Sequence, residues 1–196
     1  MYLSLRTTGK RYRKRGSNKD SRGILSNRRL IEDRPKIVDL KQLFEDLKID
    51  TIMGKNHKGA VVNINDRATG ILRIKKIKAK ESELVKQAII ELLENWKPYL
   101  FTLTSDDAKE FAMHQEIAIE LEVDFYFADP YSPWEREANE NLNELIRQYI
   151  PKSTSFEEIS IARIIEIQAK LNNRPRKRFN FETPSYMFNQ KVALVT

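Results

Sequence analysis

The sequence predicts an α/β protein in which a mixed five-stranded sheet carries helices on both faces. Two observations predict it. The hydrophobic period is two up to about residue 77, then alternates between 3.6 and two, giving the element order βββ-α-β-α-β-α-α. Three acidic residues, Asp50, Asp106 and Glu140, fall inside a strand, at the end of a strand and near the start of a helix. A chain of 196 residues suits one such domain with a short appendage.

Each element has its own local reason. Residues 1–36 show no sustained apolar period and are punctuated by Gly9, Gly16, Gly23 and Pro35, which predicts a basic arm or linker ahead of a core over 37–196. Residues 37–46 suit one short helix. Leu47 to Met53, Ala60 to Ile64 and Ile71 to Ile77 read as three strands, joined by turns at Lys55–Gly59 and Asp66–Gly70. Leu84, Ala88, Leu92 and Trp96 then share one helical face between Glu81 and Lys97, with Pro98 as the stop. Leu100–Thr104 reads as a buried strand, Phe111–Leu121 as a helix, Val123–Ala128 as a fifth strand and Asp129–Pro133 as a loop. A helix is expected from about Ala138 to Ile150. The last runs from about Phe156 to Asn172, opened by Ser155 with Glu158 at capping-box spacing. Phe101, Phe125 and Phe127 are expected in the core, Trp96 and Trp134 as packing aromatics, and His57 and His114 as surface or helix residues.

Composition excludes several chemistries. With no cysteine there is no disulfide, thiolate zinc site or cysteine nucleophile, and two histidines do not build a metal cage. Any metal would be held by carboxylates, which favours Mg²⁺ or Mn²⁺. No apolar run approaches the length of a bilayer span, and Met1–Leu5 is too short for the apolar core of a signal peptide before Arg6 and Lys10. No membrane partner is expected, and the chain reads as cytoplasmic.

The net charge of +7 is concentrated. Residues 1–48 hold 14 Lys and Arg against 6 Asp and Glu, whereas the remainder holds 21 against 22. The densest stretch carries Lys10, Arg11, Arg13, Lys14 and Arg15 around Tyr12; a second cluster is Arg174, Arg176, Lys177 and Arg178. Such runs meet polyanions, because each phosphate neutralised releases condensed counterions, although a solvated tail has the same composition.

A carboxylate among apolar strand neighbours, as at Asp50, is costly without a partner or a cation. If the first and fourth strands are neighbours, as in a ribonuclease-H-like sheet, Asp50 and Asp106 project near each other, and a helix crossing that end supplies Glu140. Three converging acids suit two hard cations about 3.5–4 Å apart, a pair able to activate a hydroxyl and stabilise the leaving oxygen of a phosphodiester. Singly, each acid has a plainer reading: Asp106 or Asp107 as a helix cap, Asp50 on a solvent-facing strand surface, Glu140 on an exposed helix.

The blocks around these acids resemble a known family. Ile49-Asp50-Thr51-Ile52-Met53-Gly54-Lys55, Thr104-Ser105-Asp106-Asp107-Ala108-Lys109-Glu110-Phe111 and Tyr131-Ser132-Pro133-Trp134 continuing to Asn143 are similar to the three catalytic blocks of bacterial transposases of the "insertion sequence thirty" family. The likeness continues through Leu145–Lys152 and Leu171–Phe179, with 33 residues between Asp106 and Glu140. It implies a retroviral-integrase-like catalytic core with a DDE triad at Asp50, Asp106 and Glu140, holding two Mg²⁺ or Mn²⁺ ions. The implied activity is hydrolysis at transposon ends followed by attack of the 3′-hydroxyl on target DNA. Asn139, Asn143, Arg147 and Lys152 would line or flank the DNA. The implied partners are double-stranded DNA, both transposon ends and target, and a second copy or a full-length transposase, at the bacterial nucleoid.

The chain departs from the family pattern in four ways. It begins after the helix-turn-helix domain that full-length members carry. Asp106-Asp107-Ala108 stands where Asp-Asn-Gly is usual, Glu137 and Glu144 where Gly is usual, and Glu45-Asp46-Leu47-Lys48 where Gly-Asp-Trp-Glu is usual. Three Gly-to-Glu changes read as a decaying copy, a remnant serving only as a DNA-binding or inhibitory partner. If those glycines sit at positive φ, each change costs on the order of 1–2 kcal/mol.

Overall fold

The computed structural model describes residues 25–35, 46–128 and 133–193, with side chains except over 133–140. The arm before residue 25, and 37–45 of the helix expected over 37–46, lie outside the described residues. The strands are β1 (Arg29–Leu30), β2 (Asp46–Met53), β3 (Ala60–Asp66), β4 (Leu72–Ile77), β5 (Thr102–Ser105) and β6 (Asp124–Phe127). The helices are α1 (Ser82–Leu93), α2 (His114–Leu121), α3 (Pro133–Tyr149), α4 (Ile161–Asn172) and α5 (Pro184–Val192).

The sheet has the order β1-β6-β5-β2-β3-β4. β1, β6, β5 and β2 run parallel, and β3 and β4 complete an antiparallel meander. The five expected strands and the mixed sheet are present. The sixth, β1, is added by the segment expected to be linker. Its two residues pair Arg29 with Tyr126 and Leu30 with Phe127, a length that carries no periodic signal.

Alternation along the strands splits the core into two layers. Leu47, Ile49, Val62 and Ile64 pack beneath Val85, Ala88 and Ile89 of α1, with Phe111, Ile117 and Leu121. Ile52, Val61, Leu72 and Ile74 face the other way, against Leu142, Leu145 and Ile146 of α3 and Ile164, Ile167 and Leu171 of α4. Asp50 shares its strand parity with Ile52, which sets it on the α3 side.

The free edge of β4 is covered by side chains of α4. Asn172 accepts from the Leu72 N–H at 2.8 Å and donates to the Leu72 carbonyl at 2.9 Å, while Gln168 accepts from the Ile74 N–H at 2.8 Å. These bonds satisfy backbone groups that would otherwise template another strand.

Several boundaries differ from the sequence expectation. α1 stops at Leu93 and tightens into a 3₁₀ stretch, Glu94–Tyr99, that includes Pro98. α3 begins at Pro133, where a missing N–H costs nothing in the first turn. Ser155 accepts from the Glu157 N–H and caps only the turn Phe156–Glu158, whereas α4 starts after Ser160, which accepts from the Arg163 N–H. α5 was not expected; it docks through Phe188, stacked on Trp96 at 5.0 Å, with Arg73 over the Trp96 ring. Phe101 lies outside the strand and is 37% exposed rather than in the core. His57 is exposed and His114 is a helix residue, the first of α2, both as expected; His114 is buried there, its ring edge-on to Phe127.

At the β3–β4 turn the buried Asp66 carboxylate accepts from the Thr69 N–H at 2.6 Å and hydroxyl at 2.5 Å. Burial, opposed by these bonds, pushes its pKa from 3.8 up to about 6. The fold therefore prefers the protonated acid, and this contribution is lost as pH rises from about 4 to 6. The stability difference between the protein and Asp66→Asn should shift by roughly 2–3 kcal/mol between pH 4 and pH 7 in urea titrations with EDTA. A pH-independent difference would contradict this.

Candidate active site

Asp50 lies inside β2 and Asp106 directly follows the last residue of β5, the parallel strand beside it. β2 and β5 pair Lys48 with Thr104, so Asp50 and Asp106 follow two residues later on each. Two bonds hold the Asp50 carboxylate: Oδ1 accepts from the Thr51 N–H and Oδ2 from Asn143 Nδ2, both at 2.7 Å. Asn143 in turn accepts from Asn63 Nδ2 at 3.2 Å, and Asn63 is the β3 residue paired with Asp50. A chain of two amides thus runs from the sheet through α3 to the acid.

The charges explain the behaviour of Asp50. Burial first, and the neighbouring negative charge of Asp106 second, push its pKa from 3.8 up to about 6. The bonds from Asn143 and Thr51 and the positive charge of Lys80 oppose that shift. Lys80 forms an ion pair with Glu110 Oε1, which also accepts from the Thr51 hydroxyl at 2.9 Å. This network ties the strand of the first acid to the loop after the second.

Position 140 lies on α3, three residues before Asn143 and on the same helix face. The side chains of Asn139 and Glu140 lie outside the described residues. Among described residues, no group of three His, Cys, Asp or Glu side chains could hold a metal ion. The acids whose side chains are described are the pair on the sheet. Two mutually repelling carboxylates, all-oxygen donors, fit a hard divalent cation, which would relieve the repulsion.

The basic candidates are scattered. Arg147 donates to the Met53 carbonyl and lies over the Phe156 ring, which makes it a half-buried support of the end of β2. Asn143 serves Asp50. Lys152 and Lys177 are exposed, Arg174 is exposed and donates to Gln148, Arg176 is half-buried and donates to the Leu171 carbonyl, and Arg178 lies over Phe179. Lys10, Arg11, Arg13, Lys14 and Arg15 fall outside the described residues.

Sequence reasoning missed Asn63, Lys80, Glu110 and Arg28. Asn63 carried a signal, a polar residue amid Val61, Val62 and Ile64. Arg28 carried none; its partner, Asp107, is 79 residues away. The departures also read differently in three dimensions. Ala108 has φ −127° and ψ 145°, open to any residue, and Glu137 and Glu144 lie within α3, where a glycine would cost helix stability. The positive-φ strain expected of the Gly-to-Glu changes is absent at 137 and 144. Position 45 lies outside the described residues.

The fold is that of a retroviral integrase catalytic core, a ribonuclease-H-like sheet. The catalytic core domain of BIV integrase superposes with a TM-score of 0.61 over 77% of this chain and 97% of that one, at 14% identity. Among sequences, the chain is a homologue of insertion-sequence transposases. It is 52% identical to the transposase for insertion sequence element IS4351 of Bacteroides fragilis, over 98% of its own length and 59% of that protein. It is 35% identical to transposase InsI for insertion sequence element IS30C of Escherichia coli K12, over 94% of its length and 49% of that protein. The chain thus spans about half the length of the curated relatives it matches. No family model matches it.

Proposed function

We propose that this chain is the catalytic core of an insertion-sequence transposase, a polynucleotidyl transferase acting at element ends with Asp50, Asp106 and Glu140 as its acids. The observation that carries the reading is the placement of Asp50 and Asp106 on neighbouring parallel strands, under the helix that bears position 140. The alternative, a remnant that serves only as a DNA-binding or inhibitory partner, drew part of its support from glycine losses, and at 137 and 144 the helical backbone accepts the glutamates now there.

Asp50 and Asp106, with Glu140, would hold two Mg²⁺ or Mn²⁺ ions. Such ions activate a hydroxyl and stabilise the leaving oxygen of a phosphodiester. The chain's own work is positioning. Thr51 and Asn143 fix the Asp50 carboxylate while leaving each oxygen a second lone pair. The cations of Lys80, Lys152, Arg174 and Lys177 favour approach of a phosphate backbone. Duplex DNA, as element end and target, is the proposed partner, with a second copy or a longer transposase completing the assembly at the nucleoid. No described helix is long and apolar enough to cross a membrane.

Millimolar Mn²⁺ should raise the melting temperature of the protein and leave Asp106→Asn unmoved, since a ligand stabilises only the state that binds it. Equal shifts in both would overturn the assignment. Deleting Lys10–Arg15 removes five basic residues. If all five meet duplex phosphates, the slope of log affinity against log salt falls by roughly 4–5. An unchanged slope in filter binding would make the arm a solubility tail.

A further inference from the structure

The segment Leu25–Pro35 is fastened to the sheet by three arginines, each on a different acid. Arg34 is buried and reaches Asp46 Oδ1 at 3.7 Å and the Thr104 hydroxyl at 3.2 Å. Arg29 bonds Asp124 at 2.5 Å and the Tyr126 hydroxyl at 2.9 Å. Arg28 forms an ion pair with Asp107 Oδ2, the two side chains being 24% and 11% exposed. The first two pairs hold the segment on the strands. The third lies one residue from Asp106.

The turn that carries Asp106 is also held by bonds to its backbone carbonyls. The Asp106 carbonyl accepts from the Ala108 N–H at 3.0 Å and the Ser105 hydroxyl at 3.1 Å, and Ser105 accepts from the Ala128 N–H at 2.8 Å. The Asp107 side chain is the handle of this turn, and Arg28 holds it. Without Arg28, a mostly buried negative charge would stand beside the acid pair with its ion-pair partner gone. A buried charge so exposed to loss of its partner seeks another cation.

We propose that Arg28 is a positioning residue for the acid pair: by neutralising Asp107 and anchoring it, Arg28 holds the 105–108 turn so that Asp106 faces Asp50 and keeps Asp107 from competing for the divalent cation. This deepens the transposase reading and rests on it. It also makes residues 25–35 part of the catalytic unit, and makes Asp107 one half of a matched pair instead of damage to the second block.

The test is a double-mutant cycle of Arg28→Ala, Asp107→Asn and the pair together, read by Mn²⁺ binding calorimetry and by Mn²⁺-supported joining of pre-cleaved ends. Arg28→Ala should bind Mn²⁺ about threefold to tenfold more tightly, from the uncompensated charge, yet turn over at least about tenfold more slowly, because the turn shifts. A merely structural arginine would not tighten metal binding while slowing turnover. Asp107→Asn should weaken Mn²⁺ binding by a similar factor and, having lost the same anchor, slow turnover by about as much as Arg28→Ala, while the double variant should bind Mn²⁺ like the parent and turn over no more slowly than either single variant. Should Arg28→Ala fail to fold, the isosteric Asp107→Asn carries the same test. Turnover losses that add in the double variant, or variants indistinguishable from the parent, would overturn the proposal. Asp50→Asn runs alongside: if it retains the Mn²⁺ response, the acid-pair reading itself fails, whereas its loss beside unaffected Arg28 variants condemns this proposal alone.

Discussion

Replacing Asp50 with asparagine is expected to remove Mn²⁺-supported strand transfer, by on the order of 10³-fold or more, while making the metal-free protein more stable. The two effects have one origin. The carboxylate is buried beside Asp106, and these two features push its pKa from 3.8 up to about 6. The fold therefore prefers the protonated acid, and above pH 6 the ionised form costs stability that the amide does not. At pH 8 in EDTA the variant should gain about 1–2 kcal/mol, part of the cost of ionising the buried acid being offset by weaker bonds from Thr51 and Asn143. Saturating Mn²⁺ should reverse the order of melting temperatures, since only the parent holds the ions. A structural aspartate would behave in the opposite way: its asparagine variant would melt lower with or without metal.

Gly54→Ala is expected to be among the most damaging single-methyl changes in the chain. The reason is space, since Gly54 has φ −73° and ψ 174°. A β-carbon there would stand 2.1 Å from the Lys58 carbonyl oxygen and 2.7 Å from Phe156 Cδ2. Neither neighbour yields easily. Lys58 belongs to the loop closed by the Gly54 N–H bond to the Gly59 carbonyl at 3.0 Å, and Phe156 is fully buried in the α3–α4 layer. Overpacking against backbone and core should cost about 3 kcal/mol or more. Because β2 ends at Met53, the displacement reaches the carbonyl that Arg147 holds and the strand that carries Asp50. The urea midpoint and strand transfer should fall together. Ala108→Gly is the contrasting change: with Ala108 extended, it should alter stability by less than about 1 kcal/mol. An undisturbed Gly54→Ala protein would mean that the 55–58 loop does not close as described.

These two sites show what the sequence makes visible. The change from period two to period 3.6 located the strands and the main helices, because each element buries one face and the burial writes the period. Asp50 was legible for the same reason, a charge interrupting an apolar strand. Features held by long-range side chains left no such trace. β1 is two residues long and depends on Arg28, Arg29 and Arg34 finding acids on β2, β6 and the turn after β5. α5 depends on the stacking of Phe188 on Trp96. Glu110 is buried between Thr51 and Lys80, contacts from distant parts of the chain that leave no periodic signal. The suspicion of strain at Glu137 and Glu144 came from residue identity alone. Backbone conformation, which one sequence does not print, removed it.

The central claim is that Asp50, Asp106 and Glu140 act as one metal-holding unit in phosphodiester transfer. The most direct measurement is strand transfer of pre-cleaved element ends into target duplex, with Mn²⁺, by the parent and by Asp50→Asn, Asp106→Asn and Glu140→Gln. Joined product from the parent, with each variant reduced to background and each still folded, is the result expected. Joining by Glu140→Gln at the parent's rate, or by either aspartate variant, would contradict the account.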